Sequence, residues 1–326
     1  MEFHLNYIPP RSRVDITHKD KILLIGSCLA ESIGEKLISS KFNCLVNPNG
    51  ILFNPSSIAT AISSYIKNES NPKLEINNNL HVSLNHHGCF SSTSKDELIH
   101  KINTSTKQAH QFLKEAKFLI ITFGSAFAFC HTKTNEIVAN CHKLPQQDFK
   151  KELLSVETIV KEYSSLIKLL KEFNPNLNII FTVSPVKYLR DGIVENNLSK
   201  AILTQSVHQL LTPNSELSTP NYSYFPAYEL VIDDLRDYRF YKEDMAHPNE
   251  QAIDYVWEKF SNSYFSETTL KLNEKIKEVV QASLHRPIQS NSINHQKFKQ
   301  TYFEKCKELE KDHPELNFST EKLNYS

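Results

Sequence analysis

Three short apolar runs, each followed at once by a glycine or a serine, constrain the fold of this chain most strongly. The runs are 21–25 before Gly26-Ser27, 118–123 before Gly124, and 178–183 before Ser184. Each run has the length of a strand that is buried on both faces. Segments with helical spacing separate them, at 29–38, 97–116 and 156–173. This alternation predicts an α/β fold in which helices cover both faces of a mostly parallel sheet.

The remaining segments extend this pattern. We predict a strand at 43–46, a helix capped by Ser56 and Ser57 that runs to about Lys67, an exposed loop at 68–79, a hairpin of 126–131 with 137–141, and a helix at 197–211. A short strand at 224–226, a helix to Asp233 and an amphipathic helix at 252–265 complete the series. From Ser266 the chain is rich in Lys and Glu, with helical spacing. We therefore divide it into a domain at 1–265 and a helical extension at 266–326, which is available for oligomer contacts.

Composition argues against several classes of partner. Lys plus Arg and Asp plus Glu both number 37, so there is no excess positive charge to neutralise nucleic-acid phosphates. No apolar stretch is long enough to span a bilayer, and residues 1–10 lack the features of a signal peptide. The six cysteines show no CxxC spacing. These features predict a cytoplasmic protein with reduced thiols and no membrane span.

Two segments far apart in the sequence supply the groups of a hydrolytic triad. Ser27 follows the first predicted strand, and Asp244 lies three residues before His247 in a late loop. A nucleophilic serine needs a base to take its proton and an acid to hold that base in the right tautomer. Sites in parallel sheets form at the C-terminal ends of the strands, where Ser27 and Gly124 both fall. A single loop that carries Asp244 and His247 could therefore complete a site at Ser27.

Each of these residues also has a plainer interpretation. Ser27 could be an ordinary helix N-cap. Cys28 is a competing nucleophile, because a helix N-terminus lowers the pKa of a thiol, but we expect this residue to face the sheet as a small apolar side chain. His247 could be a solvated loop residue, and Asp244 could cap the following turn. The triad is therefore a hypothesis that depends on three-dimensional proximity.

Seven short motifs occur in chain order. They are 26–30 (GSCLA), 47–50 (NPNG), 122–126 (TFGSA), 138–143 (VANCHK), 182–186 (TVSPV), 191–200 (DG followed by ENNLSK) and 244–249 (DMAHPN). Together they resemble the GSCFA-domain proteins, a bacterial group related to the SGNH (GDSL-like) esterases, over roughly residues 20–265. The resemblance implies a three-layer α/β/α sandwich. It also implies that Ser27 is the nucleophile, His247 the base and Asp244 the residue that orients the base.

The resemblance further implies where an oxyanion would bind. In SGNH enzymes the donors are the N–H of the serine, the N–H of a glycine in a second motif and an Asn side chain in a third. Ser27 and Gly50 match the first two donors. The third motif has no Asn after Gly124, and the residues that could substitute are Ser125, Asn49 and His142. Leu29 replaces the Phe of the family signature, and we expect that change to affect packing only.

Four residues near these motifs are candidates for substrate contact: Asn49, Gly124, His142 and Lys187. His86, His87 and His142 lack a carboxylate partner and helical i, i+4 spacing, so we expect no metal site. No motif requires a cofactor.

These features favour a serine hydrolase that acts on an ester, such as an O-acyl group on a carbohydrate or a small metabolite. Acyl transfer to a sugar hydroxyl would use the same groups. A non-catalytic carbohydrate- or protein-binding module on the same scaffold is a different class. The missing Asn favours this class, and the intact Ser27, His247 and Asp244 oppose it. A cysteine enzyme that uses Cys28 is a third alternative.

Overall fold

The computed structural model describes residues 5–212, 221–285 and 292–325. The elements up to the middle of the chain are β1 (Lys21–Gly26), α1 (Cys28–Ser39), β2 (Asn43–Val46), α2 (Pro55–Lys67), β3 (Leu74–Asn77), β4 (Leu80–Ser83), β5 (Ser91–Ser92), α3 (Lys95–Glu115), β6 (Phe118–Phe123), β7 (Phe127–His131), β8 (Glu136–Val138), β9 (Phe149–Leu153) and α4 (Val156–Phe173). They are followed by β10 (Asn178–Val183), α5 (Ile193–Leu211), β11 (Tyr222–Phe225), α6 (Ala227–Glu229), α7 (Glu250–Tyr264), α8 (Glu267–Ser283), α9 (Ile293–Asp312) and α10 (Ser319–Tyr325). Residues 1–4, part of the segment 1–10 considered as a signal peptide above, and residues 286–291, part of the predicted extension, lie outside the described residues.

The central sheet has five strands in the order β11-β10-β6-β1-β2, and all of its pairings are parallel. Every residue of β6 and β10 is buried, as the continuous apolar runs predicted. The predicted strand at 43–46 is β2, which pairs with β1 from Asn43 to Val46. Because the strands are parallel, their carboxyl ends meet at one edge of the sheet, where Ser27, Gly124 and Ser184 lie.

Hydrophobic side chains pack on both faces of this sheet. Leu23 and Ile25 of β1 belong to a core shared with α2, α3, α4 and α5. Ile22 and Leu24 alternate with them and pack on the opposite face, in a core shared with α1 and α7. The fold is therefore a three-layer α/β/α sandwich with a parallel central sheet, as predicted.

The structure also contains two small antiparallel sheets, β3-β4-β5 and β8-β7-β9, which were predicted only in part. The predicted hairpin forms from β7 and β8, but β9 pairs with β7 as well. The segment 68–79, predicted to be a loop, contains β3, which pairs with β4. Strands β3 and β9 contain no fully buried residue, so their sequences lack the continuous apolar runs that mark buried strands.

The start of α2 also differs from the prediction. Asn54 is the N-cap, and its side chain accepts the Ser57 N–H at 2.8 Å. Pro55 occupies the first helical position, where its fixed φ is favourable and its missing N–H costs nothing. Ser56 and Ser57 therefore lie inside the helix and do not cap it.

Helices α8, α9 and α10 pack around a small core of their own, which includes Leu272, Ile276 and Phe318. Helix α10 was not predicted. An ion pair between Lys41 and Glu321 at 2.6 Å joins this core to the end of α1. A domain boundary at 265 stays a prediction. No helix in the described ranges combines the length and the apolar character needed to cross a membrane.

Candidate active site

Ser27 lies between β1 and α1, at the N-cap position of the helix. The residue is 1% exposed, and its side chain caps no backbone N–H. Its Oγ atom has no hydrogen-bond partner among the described residues. The four cap serines of later helices, by contrast, each accept a backbone N–H: Ser94, Ser155, Ser266 and Ser292. Ser27 thus occupies a cap position without performing the usual function of a cap.

Asp244 and His247 form a close pair in the loop before α7. His247 Nδ1 lies 2.6 Å from Asp244 Oδ2, and Asp244 Oδ1 accepts the N–H groups of Ala246 and His247, both at 2.9 Å. The two backbone N–H groups, and then the imidazole, lower the pKa of Asp244 to about 2. Asp244 is therefore ionised at neutral pH and holds the ring through Nδ1, which leaves Nε2 to face a reactant.

Backbone hydrogen bonds hold this loop against the segment that follows β10. The Lys187 N–H donates to the Ala246 carbonyl at 3.1 Å, and the Lys242 N–H donates to the His247 carbonyl at 2.7 Å. Lys187 Nζ lies 4.4 Å and 3.9 Å from the ring centroids of Tyr238 and Tyr241. Lys187, predicted to contact substrate, packs in this way against the aromatic residues that precede the loop.

Ser27 and His247 occupy the same end of the sheet but do not hydrogen-bond. The His247 side chain is 42% exposed, whereas the Ser27 Oγ atom is closed off from solvent. A ligand could therefore reach the hydroxyl only if a neighbouring side chain moved. Catalytic hydrogen bonds are often absent without substrate and form in the Michaelis complex.

The backbone N–H groups expected to bind an oxyanion already have acceptors. The Ser27 N–H donates to Thr122 O at 3.2 Å, and the Gly50 N–H donates to Asn47 O at 2.7 Å within a tight turn. The N–H groups of Gly124 and Ser125 both donate to Phe53 O, at 2.9 and 3.0 Å. An oxyanion role for Ser27 and Gly50 stays a prediction, and it would require these bonds to be shared or broken.

The three residues considered as replacements for the missing Asn have other contacts. Asn49 accepts the Tyr65 hydroxyl at 2.8 Å, and His142 Nε2 lies 2.7 Å from Ser83 O. The hydroxyl of Ser125 lies 3.3 Å from Ser199 Oγ and accepts the Phe127 N–H. Asn49 lines a cavity of about 420 Å³, whereas Ser125 and His142 line a larger cavity. Gly124, the remaining candidate from the third motif, is not among the lining residues of either cavity.

That larger cavity has a volume of about 970 Å³. Its wall includes Phe53, Phe127 and Tyr188, and it has basic residues in Lys143 and Arg190. Phe53 and Tyr188 also surround Gly124. A Cβ built on Gly124 would lie 2.5 Å from Tyr188 Oη, 3.1 Å from Phe53 O and 3.2 Å from Ser27 Cβ. Phe53 and Tyr188 therefore line the cavity and also lie close to Ser27, which does not itself line the cavity.

The histidines near this cavity are held by protein atoms. His86 Nδ1 lies 2.7 Å from Ser83 Oγ, and burial followed by the proximity of His142 lowers the pKa of His86 to about 4. Burial also lowers the pKa of His142. In the part of the chain that the structure describes, no cluster of three or more His, Cys, Asp or Glu side chains could hold a metal.

Cys28, the competing nucleophile, is partly buried on the first turn of α1. Burial raises the pKa of its thiol above the usual value, and Glu31 adds to this effect. The thiolate, which is the reactive form, is therefore disfavoured at neutral pH.

Sequence reasoning gave no role to Lys200, which is fully buried on α5. Its Nζ donates to the carbonyls of Gly124 and Ser184, both at 2.6 Å, and so ties together the ends of β6 and β10. The signal was present in the sequence, because Lys200 shares the apolar face of Leu203 and Val207 at helical spacing. Burial lowers the pKa of this amine from 10.5 to about 7.

The buried amine predicts how stability depends on pH. Between pH 7 and pH 10.5 the unfolded chain binds one proton more than the folded chain at Lys200, so stability rises with pH. We expect chemical denaturation to show a gain of about 2 kcal/mol between pH 7 and pH 9. Lys200→Met, although less stable overall, should lose this dependence. An equal slope in both proteins would contradict the prediction.

Comparisons with known proteins agree with the resemblance seen in the sequence. The GSCFA family profile matches residues 21–260, and the profile of the GSCFA domain protein C-terminal domain matches residues 276–324. The chain belongs to the GSCFA family. No curated protein shows a significant match.

Among solved structures, an acetyl esterase variant with acetate ion shares 11% identity at a TM-score of 0.35, over 80% of this chain and 99% of that one. A carbohydrate esterase family 3 protein from Talaromyces cellulolyticus shares 12% identity at a TM-score of 0.31, over 79% of this chain and 99% of that one.

Proposed function

We propose that this protein is an SGNH-type serine hydrolase that cleaves ester bonds, with Ser27 as nucleophile, His247 as general base and Asp244 as the residue that orients the base. The observation that carries the proposal is the Ser27 hydroxyl, which is buried at a helix N-terminus yet has no partner among the described residues. Ser57 and Ser261 also have buried hydroxyls without partners, but the hydroxyl of Ser27 lies at the carboxyl end of a central strand, where sites in parallel sheets form.

The chemistry follows from the hydrogen bonds of the loop. Asp244 Oδ2 accepts a hydrogen bond from His247 Nδ1–H, which leaves Nε2 free to take the Ser27 proton as Oγ attacks the acyl carbonyl. The protonated imidazole then gives its proton to the leaving alcohol, and an acyl-enzyme forms. Water, activated by the same imidazole, attacks the acyl group and releases the acid, which regenerates Ser27.

The cavity beside Phe53 and Tyr188 is the proposed substrate pocket. Its volume of about 970 Å³ accommodates an acylated sugar or a metabolite of similar size. Phe127 and Phe149 offer flat apolar faces, and Lys143 and Arg190 offer hydrogen-bond donors. Acyl transfer to a sugar hydroxyl would use the same groups as hydrolysis and would differ only in the acceptor.

One observation favours a second candidate function, a non-catalytic carbohydrate- or protein-binding module. The backbone N–H groups near Ser27 have acceptors, and the hydroxyl is closed to solvent. Such a module would use the same cavity but would not turn over an ester.

The test is turnover of short-chain nitrophenyl esters and O-acetylated sugars, with Asp244→Asn as the diagnostic variant. An amide nitrogen facing His247 Nδ1 cannot accept a hydrogen bond from Nδ1–H, so the imidazole is held in the wrong tautomer. We expect kcat to fall about 10²- to 10⁴-fold. Asp237→Asn, which removes an exposed aspartate paired with Arg239, is the matched control and should keep full activity. If the wild-type protein shows no turnover of any ester, the binding module becomes the better account.

A further inference from the structure

The hydroxyl of Tyr188 is a buried polar group that no structural contact explains. Its Oη has no hydrogen-bond partner among the described residues. The same holds for Ser27 Oγ and for the side-chain nitrogen of Asn47, whose oxygen accepts the Gly26 N–H at 2.8 Å. Three buried atoms without partners thus lie close to the turn that carries the nucleophile candidate. Nine side-chain atoms of the described residues are buried without a partner, and three of them meet at this one turn. A catalytic role is one recognised reason for such atoms.

Tyr188 Oη and Ser27 both lie close to Gly124. A methyl group on Gly124 would meet Tyr188 Oη at 2.5 Å and Ser27 Cβ at 3.2 Å, so both side chains border the space above this glycine. An acyl carbonyl attacked by Ser27 Oγ must enter beside them. Its oxygen would then lie within reach of the phenol.

Several contacts hold the phenol in place. The Tyr188 N–H donates to the buried Asn196 side chain at 2.9 Å. The ring meets Phe53 edge to face at 5.6 Å, and Lys200 Nζ lies 5.2 Å from its centroid. Burial raises the pKa of Tyr188 well above its usual range, so the phenol keeps its proton and remains a donor at neutral pH.

We propose that Tyr188 supplies the hydrogen-bond donor for the oxyanion that the missing Asn would otherwise provide. The proposal rests on the proposed function, since it assigns a further residue to the same reaction. In the tetrahedral intermediate the Tyr188 O–H donates to the oxyanion, with no transfer of its proton. A preorganised donor of this kind stabilises the transition state more than the ground state.

The test is Tyr188→Phe, which keeps the ring and its contacts with Phe53 and Lys200 and removes only the hydroxyl. We expect kcat for nitrophenyl acetate to fall about 10²- to 10³-fold, with KM changed by less than about threefold. The affinity for methylboronic acid, which forms a tetrahedral anion on the serine, should fall by a similar factor. Tyr264→Phe removes a buried phenol on α7 that bonds to Ser223 Oγ, and as the matched control it should leave both quantities unchanged.

The outcomes separate the two proposals. If the wild-type protein hydrolyses esters and Tyr188→Phe retains or exceeds its kcat, Tyr188 is a packing or gating residue and only the oxyanion assignment falls. A rise in KM with unchanged kcat and unchanged boronate affinity also overturns the assignment, because it indicates ground-state binding. If the wild-type protein neither turns over esters nor binds the boronate, both proposals fall.

Discussion

Ser27→Ala is expected to abolish ester turnover and, at the same time, to leave the protein as stable as before or more stable. Loss of the nucleophile should lower kcat about 10⁴- to 10⁶-fold. Ser27 Oγ has no partner among the described residues, so its removal breaks no hydrogen bond and relieves a desolvation cost of about 1 kcal/mol. Steady-state kinetics and chemical denaturation of the same variant measure both effects.

A matched variant shows what an ordinary cap serine would do. Ser155 is the N-cap of α4, and its Oγ accepts the Thr158 N–H at 3.2 Å. Ser155→Ala should cost about 1 kcal/mol and leave kcat unchanged. If Ser27→Ala behaves as Ser155→Ala is expected to, with lower stability and normal turnover, Ser27 is a structural residue.

Gly26→Ala should have the largest effect on stability of any alanine substitution in the central sheet. Gly26 has a φ of +137°, and a Cβ there would lie 2.1 Å from the backbone oxygen of Thr122. Since β1 and β6 are paired at this point, neither strand can move away without loss of the sheet. We expect destabilisation of more than about 4 kcal/mol, enough to unfold a protein of ordinary stability.

Gly88→Ala is the matched control for this substitution. Gly88 lies in a loop, and the nearest atom to a Cβ there is Asn140 Nδ2 at 3.9 Å. The change in the free energy of unfolding should stay within about 1 kcal/mol. A Gly26→Ala protein with a normal denaturation midpoint would show that the β1–α1 turn is not as closely packed as described.

The central sheet could be predicted from the sequence because strands that are buried on both faces appear as short, mainly apolar runs. Strands β6 and β10 are continuous apolar runs, and no other element of that length fits them. Strand β9 has the sequence Phe-Lys-Lys-Glu-Leu and is largely exposed, so its pairing with β7 depends on tertiary contacts that no local pattern encodes.

The residues of the site were only partly predictable, for a similar reason. The pairing of Asp244 with His247 is local, and the three-residue spacing anticipated it. By contrast, the N–H groups of Gly124 and Ser125 donate to Phe53 O, and these hydrogen bonds join segments that are distant in the sequence. No local pattern predicts them. That Tyr188 lies beside Ser27 likewise depends on how the segment after β10 crosses the end of the sheet.

The most direct test of the central claim is to locate the covalent adduct of a fluorophosphonate probe by peptide mass spectrometry. We expect one modified residue, Ser27, with labelling that persists in Cys28→Ala, disappears in Ser27→Ala and slows strongly in His247→Ala. Labelling on Cys28, or no labelling of a protein that binds but never cleaves acylated sugars, would contradict it.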